Sequence, residues 1–480
     1  MSITRAADFS KIYDAEIMSA GMASSDITYH DGTGFHIYTL LSLTNDLSNP
    51  QDNKSAEALF EVIQRYADLV AGCLSITEGK ILEVQGERLH IFVPGELNCQ
   101  TAEDVATLCA ALTNVVYDQK YRLGNTHFNG FKICLDYGRA IILKTGVAVS
   151  DSLISLGPCA NAPAKHLSDV AAEHTAFSIA IAELLFDDVD RRKSWHEINL
   201  HDRKAFPSAF EPRRFNAIIS SASSIDPVYQ AGRFSVDANA SFIPGNNHLP
   251  RAVFVQGLFL RADLDGFTSR VKRAFDDGNI EGLIKDFSRV IKYGDDFINQ
   301  AGRPMIRIPW AGDCTNMVIL PKSNENIKDA KCYYPVRGAH DWLSRYDENL
   351  EEPYQDAAWR VSICAGNDST GKCRILIAPI EADGHKFLFA AGWGVGRSLD
   401  AQEQEGAGAD VSLTSKEDYD DLEVNCKAWY TMLNSNFAFS TTLKAIRKDA
   451  TKNVPSLMAR SHRVSDEIAD AIPQPRPHWK

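Results

Sequence analysis

The chain has 480 residues and a formal net charge of −13 at pH 7. It is long enough for two domains with separate cores, and its acidic balance argues against binding to nucleic acids or anionic membranes. Residues 1–14 lack the apolar segment of a signal peptide, and no apolar run reaches the ~18 residues of a membrane-spanning helix. We therefore expect a cytoplasmic protein with neither nucleic-acid nor membrane partners.

The first half of the chain predicts a strand, a helix, a hairpin, a second helix and another strand. Apolar residues with a period of 3.6 mark the helices, and short apolar runs mark the strands. In chain order the elements are a strand at His36–Leu43, a helix with Leu59, Val62, Ile63, Tyr66 and Val70 on one face, strands Ile81–Val84 and Leu89–Val93 around Gly86 and Glu87, a helix from an N-cap at Thr101, a strand at Phe131–Leu135 that ends near Gly138, and a short helix after Gly157.

The second half repeats this order. Its elements are a strand at Val253–Leu264, a long helix from Ile280 to Ile298, strands Met305–Ile308 and Asn316–Leu320 around Gly312 and Asp313, a helix with Trp342 and Leu343, a strand at Arg360–Cys364, and a short helix after Gly392. The spacing also agrees, because Glu87 precedes Lys132 by 45 residues and Asp313 precedes Arg360 by 47. The repeat predicts two α+β units with helices packed on sheets.

The repeat sets the expected domain limits. One domain is predicted over residues 30–210 and the other over residues 251–450. Residues 211–250 are rich in Ser, Ala, Asn and Pro with weak periodicity, so we interpret them as a linker. Residues 451–480 are interpreted as a polar tail.

Asp263 ends a buried strand and is followed at once by Gly266, Phe267 and Thr268. A carboxylate at this position suits a divalent cation, and the backbone N–H groups of the three residues can face phosphate oxygens at a helix N-terminus. The alternative is that Asp265 simply caps the helix.

Asp313 follows Gly312 between two predicted hairpin strands. A hairpin beside the first strand brings this carboxylate close to Asp263, and two such carboxylates repel each other unless they share cations. The alternative is an ordinary Gly-Asp turn.

Together, these segments resemble the catalytic domain of class III adenylyl and guanylyl cyclases. Asp263 with Gly266, Phe267 and Thr268 matches the family's Asp-x-x-Gly-Phe-Thr segment, and Gly312-Asp313 matches its second metal-binding turn. The strand that begins Arg360-Val361 is similar to the family's Arg-Val-Gly-Ile-His-x-Gly strand, which implies that Arg360 contacts the triphosphate. The resemblance implies two divalent cations, Mg²⁺ or Mn²⁺, on Asp263 and Asp313.

The resemblance also requires a complementary half-site on a partner domain. The family's Gly-x-x-x-Asn-x-x-x-Arg helix is matched in the first half by Gly157, Asn161 and Lys165. This implies that Asn161 orients the ribose and that Lys165, in place of Arg, offsets charge on the α-phosphate. The alternative for this segment is a solvated helix start.

The two halves differ in complementary ways. By the repeat register, the first half has Ser42 and Glu87 where the second has the two aspartates, and the second half has Gly396 and Asp400 where the first has Asn161 and Lys165. We therefore expect two tandem class III cyclase-like, ferredoxin-like domains that form an intramolecular pseudo-heterodimer. Such a chain has one active site and one inactive pocket.

The resemblance places base recognition at Glu83, four residues before Glu87, and at Ile154, seven before Asn161. A carboxylate accepts an N–H from guanine or uracil, whereas Ile154 offers no polar contact and departs from the purine cyclases. With the divergent motifs, this resembles the pyrimidine cyclases of bacterial Pycsar anti-phage systems. The expected reaction converts UTP to 3′,5′-cyclic UMP, which a separate cyclic-nucleotide-binding effector reads.

Three alternatives stay open. The protein is a guanylate or adenylate cyclase, a non-catalytic nucleotide sensor, or a scaffold of two α+β domains without a ligand. Analysis of the product separates the cyclases from one another, and metal-dependent triphosphate binding separates a cyclase or sensor from a scaffold.

Overall fold

The computed structural model describes residues 3–6, 8–9, 11–12, 27–122, 128–145, 152–199, 212–224, 234–237, 251–300, 304–321, 358–367, 371–404, 411–422, 424–428 and 430–440, with Ile327, Ala339 and Trp342. The predicted tail at 451–480 and most of the predicted helix around Trp342 and Leu343 lie outside these residues. Among the described helices, none has both the length and the apolar composition needed to cross a membrane.

The first half contains a mixed sheet in the order β3-β4-β2-β5-β7-β8, with β1 on β2 and β6 on β5. Strand β2 is antiparallel to β4 and β5, and β5 is parallel to β7. The strands are β1 (Ile3–Arg5), β2 (Ile27–Leu43), β3 (Lys80–Gln85), β4 (Arg88–Pro94), β5 (Phe128–Thr145), β6 (Ile154–Leu156), β7 (His174–Ser178) and β8 (Trp195–Asn199).

The second half repeats this topology in a sheet of order β12-β13-β11-β14-β17-β19-β18 and adds a smaller sheet, β16-β15-β10-β9. Strand β11 is antiparallel to β13 and β14, and β14 is parallel to β17. The strands are β9 (Val236–Asp237), β10 (Ala252–Gln256), β11 (Leu258–Leu264), β12 (Met305–Ala311), β13 (Cys314–Ile319), β14 (Trp359–Cys364), β15 (Arg374–Ala382), β16 (His385–Ala391), β17 (Val411–Ser415), β18 (Thr431–Met432) and β19 (Phe437–Ser440).

The helices follow the predicted order, with one corrected start. They are α1 (Asn45–Ser48), α2 (Asn53–Leu74), α3 (Cys99–Arg122), α4 (Pro158–His166), α5 (Ile179–Leu185), α6 (Pro212–Ser224), α7 (Phe267–Asp276), α8 (Ile280–Gln300), α9 (Trp393–Gln402), α10 (Lys416–Asp421) and α11 (Val424–Lys427). Helix α3 begins before Thr101, because the Thr101 N–H donates to Asn98 Oδ1 at 3.0 Å and the Asn98 N–H donates to Thr101 Oγ1 at 3.1 Å. This reciprocal pair makes Asn98 the cap.

The single strand predicted at Val253–Leu264 is wrong. The chain leaves one sheet after β10 and enters another at β11, with Gly257 between them. A Cβ atom at Gly257 would lie 2.9 Å from Val318 Cγ1, so the close packing at this crossing requires glycine. In the first half the corresponding β2 is continuous, and β5 likewise runs past the predicted end at Gly138 to Thr145.

Part of the segment interpreted as a linker, 211–250, is regular structure. Helix α6 packs against α2 and α3, with Ile218 and Ala222 buried. Strand β9 pairs with β10. The apolar positions Phe215, Ile218 and Ala222 follow helical spacing, which the Ser- and Ala-rich composition obscured.

Two hydrophobic clusters join the halves. In the first, Ile63 and Val70 of α2 lie with Leu376 of β15 and Phe389 of β16. In the second, Ile141 of β5 and Leu156 of β6 lie with Leu258, Phe287 and Val361. Each half therefore completes its core with strands from the other, and burial of this apolar surface stabilises the arrangement.

Candidate active site

The two predicted metal-binding aspartates lie at neighbouring strand ends. Asp263 lies opposite Arg360 on the adjacent strand β14, and Asp313 lies in the β12–β13 turn, where Gly312 has a φ of +63°. Burial raises the pKa of both carboxyls, and the negative charge of Asp263 further raises the pKa of Asp313. The Asp313 carboxyl is therefore buried close enough to Asp263 to be affected by its charge, which is the proximity that the hairpin predicted.

The donor set is compatible with divalent cations that share their ligands with a substrate. Asp263 and Asp313 supply hard oxygen donors. Among the described residues, no group of three or more His, Cys, Asp or Glu side chains forms a complete metal cage. Cations held by two carboxylates need further oxygen ligands, which phosphates can supply.

Helix α7 begins at Phe267, four residues after Asp263. Its N-cap is Gly266, with φ +75°, and no side chain caps the helix; Asp265 is exposed, and its N–H donates to the Ala358 carbonyl at 2.8 Å. The alternative that Asp265 caps the helix is therefore wrong. Phe267 is buried, with its ring centroid 5.5 Å from that of Phe287, so its side chain anchors the helix.

Lys165 reaches this place from the first half. Its Nζ lies 3.5 Å from Thr268 Oγ1, and its positive charge lowers the pKa of both Asp263 and Asp313. Asn161, half-buried, lies one helical turn earlier on α4, so the two side chains share a face. The structure therefore brings together the helix motif of one half and the aspartates of the other.

Helix α4 can lie this close to the sheet because it starts at glycine. A Cβ atom at Gly157 would lie 2.9 Å from the Arg139 carbonyl oxygen. The start of α9 in the second half is built the same way, since a Cβ atom at Gly392 would lie 2.6 Å from the Arg374 carbonyl oxygen. Both short helices therefore pack directly on a strand backbone, as the repeat predicts.

Arg360 lies beside Asp263 but has a protein partner of its own. Its positive charge lowers the pKa of Asp263. Its Nη1 donates to the Gln402 carbonyl oxygen at the end of α9, at 2.7 Å. Its Nε has no hydrogen-bond partner among the described residues. The guanidinium is thus held through Nη1, and its buried Nε remains available to donate a hydrogen bond.

The two residues predicted to recognise the base are both buried. Glu83 lies in β3, and burial raises the pKa of its carboxyl to about 7; a hydrogen bond from Gln85 and the positive charges of Arg88 and Arg261 act in the opposite direction. Ile154 lies at the start of β6 in the second hydrophobic cluster. Glu83 is therefore a buried polar group of the first half that faces a cation of the second.

Arg261 is a site residue that the motif analysis missed. It lies two residues before Asp263 on the same strand face, and its Nη1 donates to Asn316 Oδ1 at 3.4 Å. Its positive charge lowers the pKa of Glu83, Asp263 and Asp313. Side chains two residues apart on a strand lie on the same face of the sheet, so counting back two residues from Asp263 would have identified Arg261.

The Cys314 thiol lies at the centre of these charges. Burial raises its pKa well above the ordinary range, and the negative charges of Glu83, Asp263 and Asp313 raise it further. The Cys314 sulfur therefore lies within electrostatic reach of Glu83, Asp263 and Asp313, the three acids to which the sequence assigns base recognition and metal binding.

Comparisons with known proteins agree with this geometry at the level of the fold. No protein-family model and no curated sequence matches the chain. Among solved structures, a class III adenylyl cyclase-like ATP-binding protein from Pseudomonas aeruginosa matches with a TM-score of 0.66 and 14% identity, over 94% of this chain and 95% of that one. The fold is that of a class III adenylyl cyclase-like protein. The guanylyl cyclase Cya2 matches with a TM-score of 0.29 and 12% identity, over 37% of this chain and 97% of its own.

Within this cyclase-like fold, strand pairing corrects the register of the first half. Asp263 pairs with Arg360, whereas the residue that pairs with Lys132, the counterpart of Arg360, is Leu40 rather than Ser42. Leu40 packs with Tyr38 in a hydrophobic cluster under α4. The first half therefore has an apolar side chain where the second has its first aspartate.

A cavity of about 460 Å³, here called the second cavity because the repeat relates it to the aspartate site, lies between the halves. Its lining includes Glu87 and Asp400, and its Arg397 is 2.7 Å from Glu417. Glu87 accepts a hydrogen bond from the Leu43 N–H at 3.1 Å. Two carboxylates and an engaged arginine make this cavity unfavourable for a triphosphate.

Proposed function

We propose that the protein is a nucleotide cyclase that converts UTP to 3′,5′-cyclic UMP and pyrophosphate, and that its halves pair as two tandem cyclase-like domains. The observation that carries this proposal is the approach of Lys165, from the first half, to Thr268 of the second half, where its charge acts on Asp263 and Asp313. Glu83 of the first half and both aspartates also act on the same thiol, that of Cys314. A composite site uses residues of both halves in this way.

Asp263 and Asp313 would hold two divalent cations, Mg²⁺ or Mn²⁺. Bound there, such cations lower the pKa of a ribose hydroxyl and neutralise phosphate charge. Burial is the main cause of the raised pKa of both carboxyls, and the charge of Asp263 adds to it at Asp313. Both effects support this assignment, because a bound cation would offset them. The N–H groups that follow Gly266 provide further donors for phosphate oxygens.

The remaining site residues bind and orient the substrate. Asn161 orients the ribose so that its 3′-oxygen is in line with the α-phosphorus, which removes much of the entropic barrier. The 3′-oxygen forms a bond to the α-phosphorus, the bond to pyrophosphate breaks, and the hydroxyl proton passes to solvent. Lys165 and Arg360 offset the charge that develops on the phosphate oxygens.

Base selection is assigned to Glu83 and Arg261. As a carboxylate, Glu83 accepts the N3–H of uracil, and Arg261, whose charge acts on Glu83, donates to a carbonyl oxygen of the base. The apolar side chain of Ile154 gives no second polar contact to a purine. This pattern favours uracil, and it supports a role in anti-phage signalling through a cyclic-nucleotide-binding effector.

A second candidate function is the binding of a nucleotide such as ATP without turnover. The observation that favours it is the likeness over nearly the full chain to a protein described as an ATP-binding, cyclase-like protein. The replacement of arginine by Lys165 and the single hydrogen bond that already engages Arg360 also fit a slower or inactive site.

The two candidates are separated by incubating the purified protein with Mn²⁺ and each of UTP, CTP, GTP and ATP, followed by mass spectrometry. Cyclic UMP from UTP alone supports the proposal. A cyclic purine nucleotide as the product would support the cyclase reaction but contradict the assignment of uracil as the base. Metal-dependent binding without any cyclic product favours the sensor.

A further inference from the structure

Gln402 ends helix α9 directly above the two strands that carry Asp263 and Arg360. Its Nε2 donates to the Arg360 carbonyl oxygen at 2.8 Å and to the Arg261 carbonyl oxygen at 3.2 Å. The same nitrogen lies 3.2 Å from Ser362 Oγ. One amide therefore bridges β11 and β14 where both approach the site.

The backbone of Gln402 makes the complementary contact. Its carbonyl oxygen accepts the hydrogen bond from Arg360 Nη1 at 2.7 Å. A helix C-terminus carries partial negative charge and unpaired carbonyls, which a guanidinium satisfies. The side chain of Gln402 thus holds the Arg360 backbone while its carbonyl holds the Arg360 side chain.

Polar contacts one turn earlier fix α9 against the sheet. Ser362 Oγ lies 2.7 Å from Ser398 Oγ and donates to the Ser398 carbonyl at 3.1 Å. Both serines are fully buried. Buried, satisfied polar contacts specify one placement of the helix, because a shifted helix would leave them unpaired.

We propose that Gln402 is a positioning residue that sets the place of the Arg360 guanidinium in the nucleotide site. This inference rests on the proposed function. Arg360 Nε, buried and without a partner among the described residues, is then the donor directed at a phosphate oxygen. Gln402 itself does not touch the substrate in this arrangement.

The test uses Gln402→Met, which keeps the length of the side chain and removes its N–H donors. The matched control is Gln404→Met, two residues after the end of the same helix, where Nε2 donates to the Asp400 carbonyl at 2.9 Å and Oε1 accepts from Asn434 Nδ2 at 2.7 Å. Each is made in the wild-type and Arg360→Gln backgrounds. The readouts are KM and kcat for UTP with Mn²⁺ and the melting temperature.

We expect Gln402→Met to lower kcat/KM at least about tenfold, through both kcat and KM, because Arg360 contacts the triphosphate and offsets its developing charge, and a misplaced charged donor costs that much. On the Arg360→Gln background the same change should alter kcat/KM less than about twofold, since the residue it positions is gone. Gln404→Met should change neither value.

Equal losses from Gln402→Met in both backgrounds would overturn the inference and leave only a structural role. A wild-type protein that neither turns over nor binds a nucleoside triphosphate overturns the proposed function, and the inference with it. If the wild-type protein binds UTP without turnover, the same four variants are compared by calorimetric affinity, with the same pattern expected.

Discussion

The Lys165 ammonium lies 3.5 Å from the Thr268 hydroxyl, although 103 residues separate them along the chain. The contact joins α4 of the first half to the first turn of α7 in the second. It holds a cation beside two acidic side chains whose carboxyls have raised pKa values. A positive charge fixed there is available to a phosphate group that enters between the halves.

Lys165→Met should therefore lower kcat at least about 100-fold, the usual cost of losing one donor to a developing charge. Lys165→Arg should restore most of the rate, because it returns the charge. The measurement is initial rate of cyclic product with UTP and Mn²⁺. Lys132→Met is the control, since Lys132 is a half-buried lysine whose ammonium, among the described residues, donates to the Ser168 carbonyl. Full activity in Lys165→Met would remove this residue from the site.

Asp263→Asn and Asp313→Asn should each abolish detectable turnover and leave the protein folded. The amide has the shape of the acid but lacks the charge that binds a hard cation. Because the substitution also removes repulsion between buried carboxylates, the melting temperature in EDTA should be unchanged or higher. Product analysis checks the loss of turnover, and thermal unfolding of the same samples checks the melting temperature. Turnover near the wild-type level in either variant contradicts the metal assignment.

Glu83→Gln should change how stability depends on pH. The pKa of the folded-state Glu83 carboxyl is about 7, against an ordinary value of 4.5. The neutral acid is favoured in the folded protein, so its stabilising contribution is complete below pH 4.5 and is lost as the pH rises to about 7. Glutamine does not titrate, so the variant does not lose this contribution. The melting temperature of the variant, relative to that of the wild type, should therefore rise as the pH increases across this window. Parallel melting curves from pH 4 to 8 would contradict the assigned pKa.

Glu83 also predicts a change in substrate. Uracil recognition uses the carboxylate, so UTP turnover should rise with pH through about 7. In Glu83→Lys a donor replaces an acceptor, and preference should shift from UTP toward a base with an acceptor at its pairing edge, such as adenine or cytosine. A competition assay with all four triphosphates measures this. An unchanged product spectrum would exclude Glu83 from base selection.

One nucleoside triphosphate should bind per chain. The second cavity has the carboxylates of Glu87 and Asp400 in its lining, which repel phosphate groups. Calorimetric titration with UTP and Mn²⁺ should give a stoichiometry near one, and the Asp263→Asn variant should show no residual tight site. A stoichiometry of two would mean that the second cavity also accepts the substrate.

Short-range sequence signals predicted the order of the elements and most of the site. Carboxylates and glycines with fixed spacing after apolar runs located Asp263, Asp313 and Asn161, because turn and helix-start chemistry depends only on near neighbours. The structure places Lys165 of the first half beside Thr268 of the second, and the roles of these residues in a nucleotide site stay predictions.

The wrong or missing predictions have one physical cause. Pairing between segments that are distant in the chain leaves little signal in the local sequence. The apolar run through Gly257 looks continuous, but its two parts belong to different sheets. Leu40 rather than Ser42 is the counterpart of Asp263, since register is set by the partner strands. Gln402 carries no motif, and its contacts with Arg261 and Arg360 exist only in the folded chain.

The two hydrophobic clusters that join the halves also determine how the protein responds to dilution. When a composite site is assembled from separate subunits, the assembled fraction falls as the protein is diluted. Here the strands that complete each core belong to the same chain, so the partner is always present at a high effective concentration. Specific activity should then be constant from micromolar to picomolar protein, and a few molecules in one cell would work at full rate.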